Sequence, residues 1–362
     1  MRHVGVFVLP LFRPLWLVVL TLAGMTVVCA APSLGAQERQ QRGVALIERA
    51  IQLENLLSPE TGPFRLRVRV KLFGLVNGTR EGTYVLIAAP PTQWFEQVRF
   101  PGYSELAGVV DGQRWRKRNV VDKPYRFHEV SRLLDLASHL RLPAEAQVAK
   151  LSQNTGAHPT FCIEVAPTAD LWQRDSVGRA AISEVARWKE NDATLCFDAE
   201  TGALLSAEYS RGLPRFEYEG LITLGSKAYP RTLRCYEGRE LVVEAEVEEF
   251  AAQDVTGAGA GFAPSTGAER WPDCRNPDPP RLVAKTAAAE DPFARARRQY
   301  GTVTALAEIG TDGLIHDLEF LQTRGVLFDG VKKAVTHWRY QPATCGGTPV
   351  PIEIYLAYTF TP

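Results

Sequence analysis

The sequence carries no excess of charge of either sign, with 41 Lys and Arg against 41 Asp and Glu in 362 residues. A protein that neutralises phosphates needs a cationic surplus, so nucleic acid is not an expected partner. There is no CxxC pair and no cysteine set at zinc-ligand spacing with a histidine. HExxH and HxxxH spacings are absent, and so is a GxSxG elbow. The glycine run Thr256-Gly257-Ala258-Gly259-Ala260-Gly261 lacks a following Lys-Ser/Thr and opens no helix, which excludes a phosphate loop. His316 and Asp317 are neighbours, but successive residues of a strand face opposite ways, so they do not form a catalytic pair. No catalytic constellation, metal site or cofactor is expected. Beyond residue 36 no apolar run is long enough to cross a bilayer.

What is present begins with an export signal. Arg2 and His3 precede an apolar stretch, the run from Leu15 to Ala31 is uncharged, and Leu34-Gly35-Ala36 offers small residues before polar Gln37-Glu38-Arg39. This order reads as a secretory signal over residues 1–36, cleaved after Ala36. The alternative is an uncleaved inner-membrane anchor over residues 15–31, at the short limit of a spanning helix. Export implies an oxidising compartment. The five cysteines beyond the signal are Cys162, Cys196, Cys235, Cys274 and Cys345, an odd number. The expected bridges are Cys162–Cys196, on the strand-like runs 161–165 and 194–197, and Cys274–Cys345, in loops at the two ends of the last domain. Other pairings remain open to a reading of sequence alone.

With 45% hydrophobic and 23% charged residues, the chain can build a globular core, and its length suits two or three domains. A helix opens the mature part, with Val44, Ile47 and Ile51 on one face and Ser58-Pro59 ending it. Residues 64–72 alternate strictly, Phe64, Leu66, Val68, Val70 and Leu72 against Arg65, Arg67, Arg69 and Lys71, the signature of a half-buried strand. Asn77-Gly78 and Asp111-Gly112 are hairpin turn pairs. A second helix is expected from Glu129 to Leu140, and a late strand from Leu241 to Phe250 carries Glu244, Glu246 and Glu248 on one face. The basic and acidic strands either lie side by side or are solvated independently.

Residues 251–280 read as a linker, from the glycine run through Pro277-Asp278-Pro279-Pro280. The carboxyl domain, 281–362, is expected to open with a short helix at 292–299. A hairpin of 302–309 and 314–321 follows, then a helix bearing Phe328, Val331, Val335 and Trp338, and a final strand 351–360. The fold class is therefore α+β: a β-rich domain with helices at 37–250, and a small domain of three antiparallel strands with helices.

The carboxyl segment holds, in order, Gly301-Thr302-Val303, Asp312-Gly313, Trp338-Arg339-Tyr340-Gln341-Pro342-Ala343, and Pro349-Val350 before a closing apolar strand. In these motifs it resembles the TonB C-terminal domain family. In that frame Gly301 and Gly313 serve turns, Trp338 packs the helix on the sheet, and Pro342 stops the helix. The resemblance implies docking of an envelope or outer-membrane protein by strand addition beside the last strand, at Ile352, Ile354, Tyr355, Leu356, Tyr358 and Thr359. Asp291-Pro292 stands where the family often has Tyr-Pro, and the apolar run holds no histidine. The opening helix, the early hairpins, Val110-Asp111-Gly112-Gln113-Arg114-Trp115 and Tyr229-Pro230 resemble LolA-like lipoprotein-carrier half-barrels. That likeness implies a curved sheet around an apolar hollow for a lipid or lipidated ligand, with Trp94, Phe95, Phe100 and Trp115 as candidate lining; a filled core is the plainer alternative. Together the two resemblances imply a non-enzymatic periplasmic binding or adaptor protein, with a TonB-type energy transducer acting on an outer-membrane receptor as the alternative.

Overall fold

A computed structural model describes residues 35–75, 78–140, 146–156, 158–166, 182–186, 193–209, 214–254, 262–274, 277–288, 301–320 and 327–360. The expected signal (1–36, save its last two residues) and the short helix at 292–299 lie outside them.

The first element is helix α1 (Ala36–Glu54), whose buried face is Gly43, Ile47, Ala50 and Glu54. Val44, expected on that face, is exposed, because the close approach of Gly43 to Val148 turns the helix about one residue from the expected seam. Five strands follow: β1 (Phe64–Leu72), β2 (Arg80–Ala89), β3 (Gln93–Phe100), β4 (Tyr103–Val110) and β5 (Gln113–Arg118). Asp111 and Gly112 both take positive φ between β4 and β5, as a two-residue hairpin turn requires. Helices α2 (Phe127–Leu134) and α3 (Leu136–Leu140) replace the single helix expected at 129–140. The break falls at Asp135, with φ −95° and ψ 76°, and the carbonyl of Leu134 accepts the Tyr229 hydroxyl at 2.8 Å instead of continuing the helix.

Eight more strands come from the central part of the chain: β6 (Gln147–Asn154), β7 (Thr160–Ala166), β8 (Ile182–Ala186), β9 (Ala193–Asp198), β10 (Leu204–Tyr209), β11 (Arg215–Leu224), β12 (Lys227–Glu237) and β13 (Glu240–Ala252). All but β8 join β1–β5 and β14 (Glu269–Pro272) in one curved antiparallel sheet of thirteen strands, ordered 14-5-4-3-2-1-13-12-11-10-9-7-6. Within the expected linker 251–280, residues 269–272 form the strand β14, while the glycine run 256–261 lies outside the described residues. The residues of β14 pair with β5, and the Phe262 carbonyl accepts the buried Trp115 indole N–H at 3.1 Å. Polar backbone that finds a sheet edge and an apolar anchor has no reason to stay extended in water.

The basic and acidic strands are neighbours. β1 pairs with β13, setting Arg67 against Glu248 at 3.0 Å, Arg65 against Glu249 at 3.4 Å, and Arg69 against Glu246. These pairs sit on the solvated face and contribute little individually. The opposite face, Phe64, Leu66, Val68, Val70 and Leu72, is fully buried and forms the middle of the main core with α1, α2 and α3.

The carboxyl part contains β15 (Arg281–Ala284), β16 (Gly301–Ile309), β17 (Ile315–Phe320), α4 (Phe328–Val335), β18 (Arg339–Gln341), β19 (Ala343–Cys345), β20 (Thr348–Val350) and β21 (Ile352–Phe360). Its principal sheet is ordered 17-16-21-8, so it has four strands rather than the three expected, the fourth being β8 from the central part of the chain. Val303, Ala305, Ala307, Ile309, Val331, Val335, Trp338, Tyr340, Ile354, Leu356 and Tyr358 make a second core. Two motif roles need correction, those of Gly301 and Pro342, while Trp338 packs in the carboxyl core but sits off the helix. Gly301 opens β16 opposite Phe360 rather than serving a turn. Trp338 lies beyond the end of α4, buried, with its indole N–H donating to the Thr286 carbonyl at 2.9 Å. Pro342 separates β18 from β19; the helix has already ended at Val335. Gly313 does serve a turn, at φ 73°, and a Cβ there would lie 2.1 Å from the Tyr340 carbonyl oxygen.

Both expected disulfides are present, Cys162–Cys196 between directly opposed residues of β7 and β9, and Cys274–Cys345 between the end of β14 and the β19–β20 hairpin. Cys235 is free and buried. The second bridge spans 71 residues, a loop whose closure is worth about 4 kcal/mol on the chain-entropy account. The Cys274→Ser/Cys345→Ser double variant should therefore unfold at lower denaturant by roughly that free energy, read by chemical denaturation. A change under 1 kcal/mol would show that the bridge ties segments already fixed in the unfolded ensemble or is unformed in the protein.

Candidate functional site

Two features of the fold converge: a seam of charged groups where the carboxyl sheet meets the half-barrel, and a cavity beside it. The seam is built by β5, the loop after it and α2 on one side, and by β16, β17 and β21 on the other. Arg116 donates from Nη1 to Glu308 at 2.6 Å. Arg118 donates to both oxygens of Asp317, at 3.0 and 2.7 Å, and to Glu105 at 2.7 Å. The Lys123 main-chain N–H donates to Asp317 at 2.7 Å, and that of Arg126 to Glu319 at 2.8 Å. His128, buried in α2, faces the Asp317 carbonyl with Nε2 at 2.7 Å and Glu353 with Nδ1 at 2.6 Å. Both ring nitrogens face oxygen atoms of the carboxyl sheet. Arg132 donates to the other Glu353 oxygen at 2.8 Å.

Asp317 sits at φ 52°, in the left-handed region, where the register of β17 against β16 slips between Leu306 and Glu308. The bulge turns the Asp317 side chain to the half-barrel side, where it is fully buried. Burial opposes ionisation of Glu353, yet Arg132 and His128 outweigh it and hold that carboxyl well below its ordinary value. Burial likewise opposes ionisation of Glu105, and Lys123 and Arg118 still bring it down to about 2. Glu319 goes the other way: burial, reinforced by the Glu129 carboxylate, raises it well above the usual range.

The cavity, of about 440 Å³, lies between the inner face of β2–β5 and helices α2 and α3. Leu66, Leu86, Trp94, Val98, Trp115 and Leu134 are among its apolar lining. Of the four aromatic residues expected to line a hollow, Trp94 and Trp115 do. Phe100 instead packs edge-on against Phe127 at 4.8 Å, and Phe95 stacks on Trp115 outside the lining set. The carboxyl part supplies a portion of the wall through Glu308, Pro351 and Glu353. None of the acids of the lining is expected from sequence as a cavity group, and two of them are raised by burial. Glu54, at the end of α1, is pushed up to about 8 by burial, against the hydrogen bond it accepts from Leu204 N–H. Glu96 is pushed up to about 7 by burial and by the nearby Glu105. Glu54 ends the buried face of α1 and thus interrupts an apolar period, the one sequence signal that marks it.

The strand proposed from sequence as a docking edge is β21. Ile354, Leu356 and Tyr358 are buried in the carboxyl core and Ile352 packs against it, so what β21 offers a partner is its backbone edge rather than these side chains. That edge carries β8, antiparallel, with Tyr355 opposite Ala186, Ala357 opposite Ser183 and Tyr358 opposite Ile182. Among the described residues no group of three or more His, Cys, Asp or Glu is placed to hold a metal ion, and no helix is long and apolar enough to cross a membrane.

Residues 292–362 match the family described as the C-terminal domain of the Gram-negative bacterial TonB protein. No curated protein matches the chain. Among solved structures the chain is similar to a LolA superfamily protein from Nitrosomonas europaea, at 11% identity and TM-score 0.37 over 64% of this chain and 98% of that one. It is also similar to a putative outer membrane lipoprotein-sorting protein domain from Vibrio parahaemolyticus, at 13% identity and TM-score 0.36 over 59% and 94%. A DUF1329 family protein from Desulfovibrio piger shares 10% identity at TM-score 0.39 over 62% and 99%.

The raised Glu54 carboxyl has a signed consequence. A folded-state pKa above the unfolded value gives stability that is complete below about pH 4 and lost as pH climbs through 8. Glu54→Gln keeps an acceptor for Leu204 N–H without the proton requirement. It should gain on the parent by up to about 1.4 kcal/mol per pH unit between pH 5 and 8 in denaturant titrations. Parallel stability–pH curves for the two proteins would contradict a neutral buried acid.

Proposed function

We propose that this chain is a non-enzymatic periplasmic binding and adaptor protein: its carboxyl domain docks an envelope protein at the edge of β21 that β8 covers, and its half-barrel holds an apolar ligand in the cavity. Domain limits of 37–250 for the half-barrel and 281–362 for the docking part go with this reading, extended by the β14 segment on the half-barrel side. The observation that carries it is the antiparallel seating of β8 on β21. An edge that accepts one added strand through main-chain hydrogen bonds has the geometry to accept another, with little demand on side-chain identity. A partner then replaces β8 on the edge. The aromatic and aliphatic cavity lining supports the second half of the reading, since a hollow of this size falls within the range of small-molecule sites.

A second reading, an energy transducer acting on an outer-membrane receptor, is favoured by the family match over residues 292–362. Photo-crosslinking in intact cells from position 355, with captured proteins identified by mass spectrometry, separates the two. An outer-membrane receptor in the adduct supports transduction, and any other envelope protein supports the adaptor. Removal of residues 182–186 should raise capture several-fold, because the edge no longer carries its internal strand. Unchanged capture would place the docking surface elsewhere.

A further inference from the structure

The charge inventory of the cavity leaves one cation without an ion pair. Among its described lining residues the cations are Arg114, Arg116 and Lys123. Arg114 is engaged by Asp273 at 3.2 Å, and Arg116 by Glu308 at 2.6 Å and Glu269 at 3.0 Å. Lys123 is half-buried and makes no ion pair among the described residues, although its charge is felt by Glu96, Glu105 and Glu353. Each of those acids also has another partner. Glu105 is bonded by Arg118 and Tyr103, Glu353 by Arg132 and His128, and Glu96 by the Tyr84 hydroxyl at 3.2 Å.

We infer that the cavity takes a single-chain carboxylate amphiphile of the fatty-acid class, its chain against Leu86, Trp94 and Leu134 and its head at Lys123. This rests on the reading that the cavity holds an apolar ligand. Lys123 is the one cation of the described lining without an ion pair, and a carboxylate brings two acceptors to it. Cationic heads are less favoured, because Glu105, Glu308 and Glu353 of the lining already have basic partners, burial raises Glu54 and Glu96, and Asp135, the remaining lining acid, is exposed. Phosphate heads need several donors converging on one anion, and here every guanidinium of the lining is committed elsewhere. The volume of about 440 Å³ suits one chain rather than a multi-chain lipid. The carboxyl sheet has a part in this recognition: Asp317 accepts the Lys123 main-chain N–H at 2.7 Å and so fixes the loop that presents the ammonium.

The test is calorimetric titration of the purified full chain with oleate, oleyl alcohol and oleylamine, each below its aggregation concentration, with Lys123→Met and Lys123→Arg alongside. Oleate should bind the parent and Lys123→Arg. Lys123→Met should lose about tenfold or more in oleate affinity, as expected for one charge-assisted contact, and keep its affinity for the alcohol. Thermal unfolding of Lys123→Met within a few degrees of the parent shows that the loss is local. Equal oleate affinity in Lys123→Met, or tighter binding of the amine than of oleate, overturns the inference. Alcohol binding with no preference for oleate also overturns it while leaving an apolar ligand site in place. Failure of all three probes removes both.

Discussion

The contact between Arg118 and Asp317 is the constraint on which the arrangement of the molecule turns. Asp317 is one of three non-glycine residues at positive φ among those described, and its side chain is wholly buried. An aspartate tolerates the left-handed region better than most residues, but the conformation persists only where surroundings over-determine it. Here they do. The carboxylate receives the Arg118 guanidinium and the Lys123 main chain, its own N–H reaches Asp122 at 3.3 Å, and its carbonyl faces His128. One bulged residue of β17 thereby holds β5, the loop after it and α2 at once.

The seam it anchors is ionic rather than apolar. Leu306 of β16 joins the main core, while the other apolar side chains of β16 turn to the carboxyl core. Buried ion pairs give back only part of the desolvation they cost, so the seam contributes more to orientation than to net stability. Removal of one member is a different matter, because it strands a buried charge. Arg118 shows why: its side chain is 7% exposed and serves Glu105 and Asp317 together. An interface of this kind is specific in register, and the two parts keep cores of their own.

The elements legible in the sequence were those whose signal is local. The strict alternation of 64–72, the Asp111-Gly112 turn and the closing strand each declare themselves within about ten residues, and the structure has all three. Cys162 and Cys196 could be matched because each lies on a recognisable strand run. The seam could not be read, since Arg118 and Asp317 are 199 residues apart and each looks like an ordinary charged strand residue. Two errors share a cause. Composition and periodicity place residues 269–272 in a linker and Trp338 on a helix, because they describe the local chain and not the edge or core that captures it. Glu54 is the converse case, a polar residue on an apolar period, where the departure from pattern marked a cavity wall.

The strand β21 joins the two halves of the proposed function. At its start, Pro351 and Glu353 form part of the cavity wall and Glu353 holds His128 and Arg132. A few residues on, Tyr355 to Tyr358 carry the edge on which β8 lies. A paired strand moves as a unit over such a distance, because each residue is fixed by ladder bonds to β16 along its whole length. On the proposed function, a ligand that draws on the Lys123 loop would act on Asp317, and through the β16–β17–β21 sheet on the docking edge. In the proposed reading, coupling between ligand and partner therefore requires no hinge. It requires only that the two occupants differ in their preference for the seated and unseated forms of one sheet.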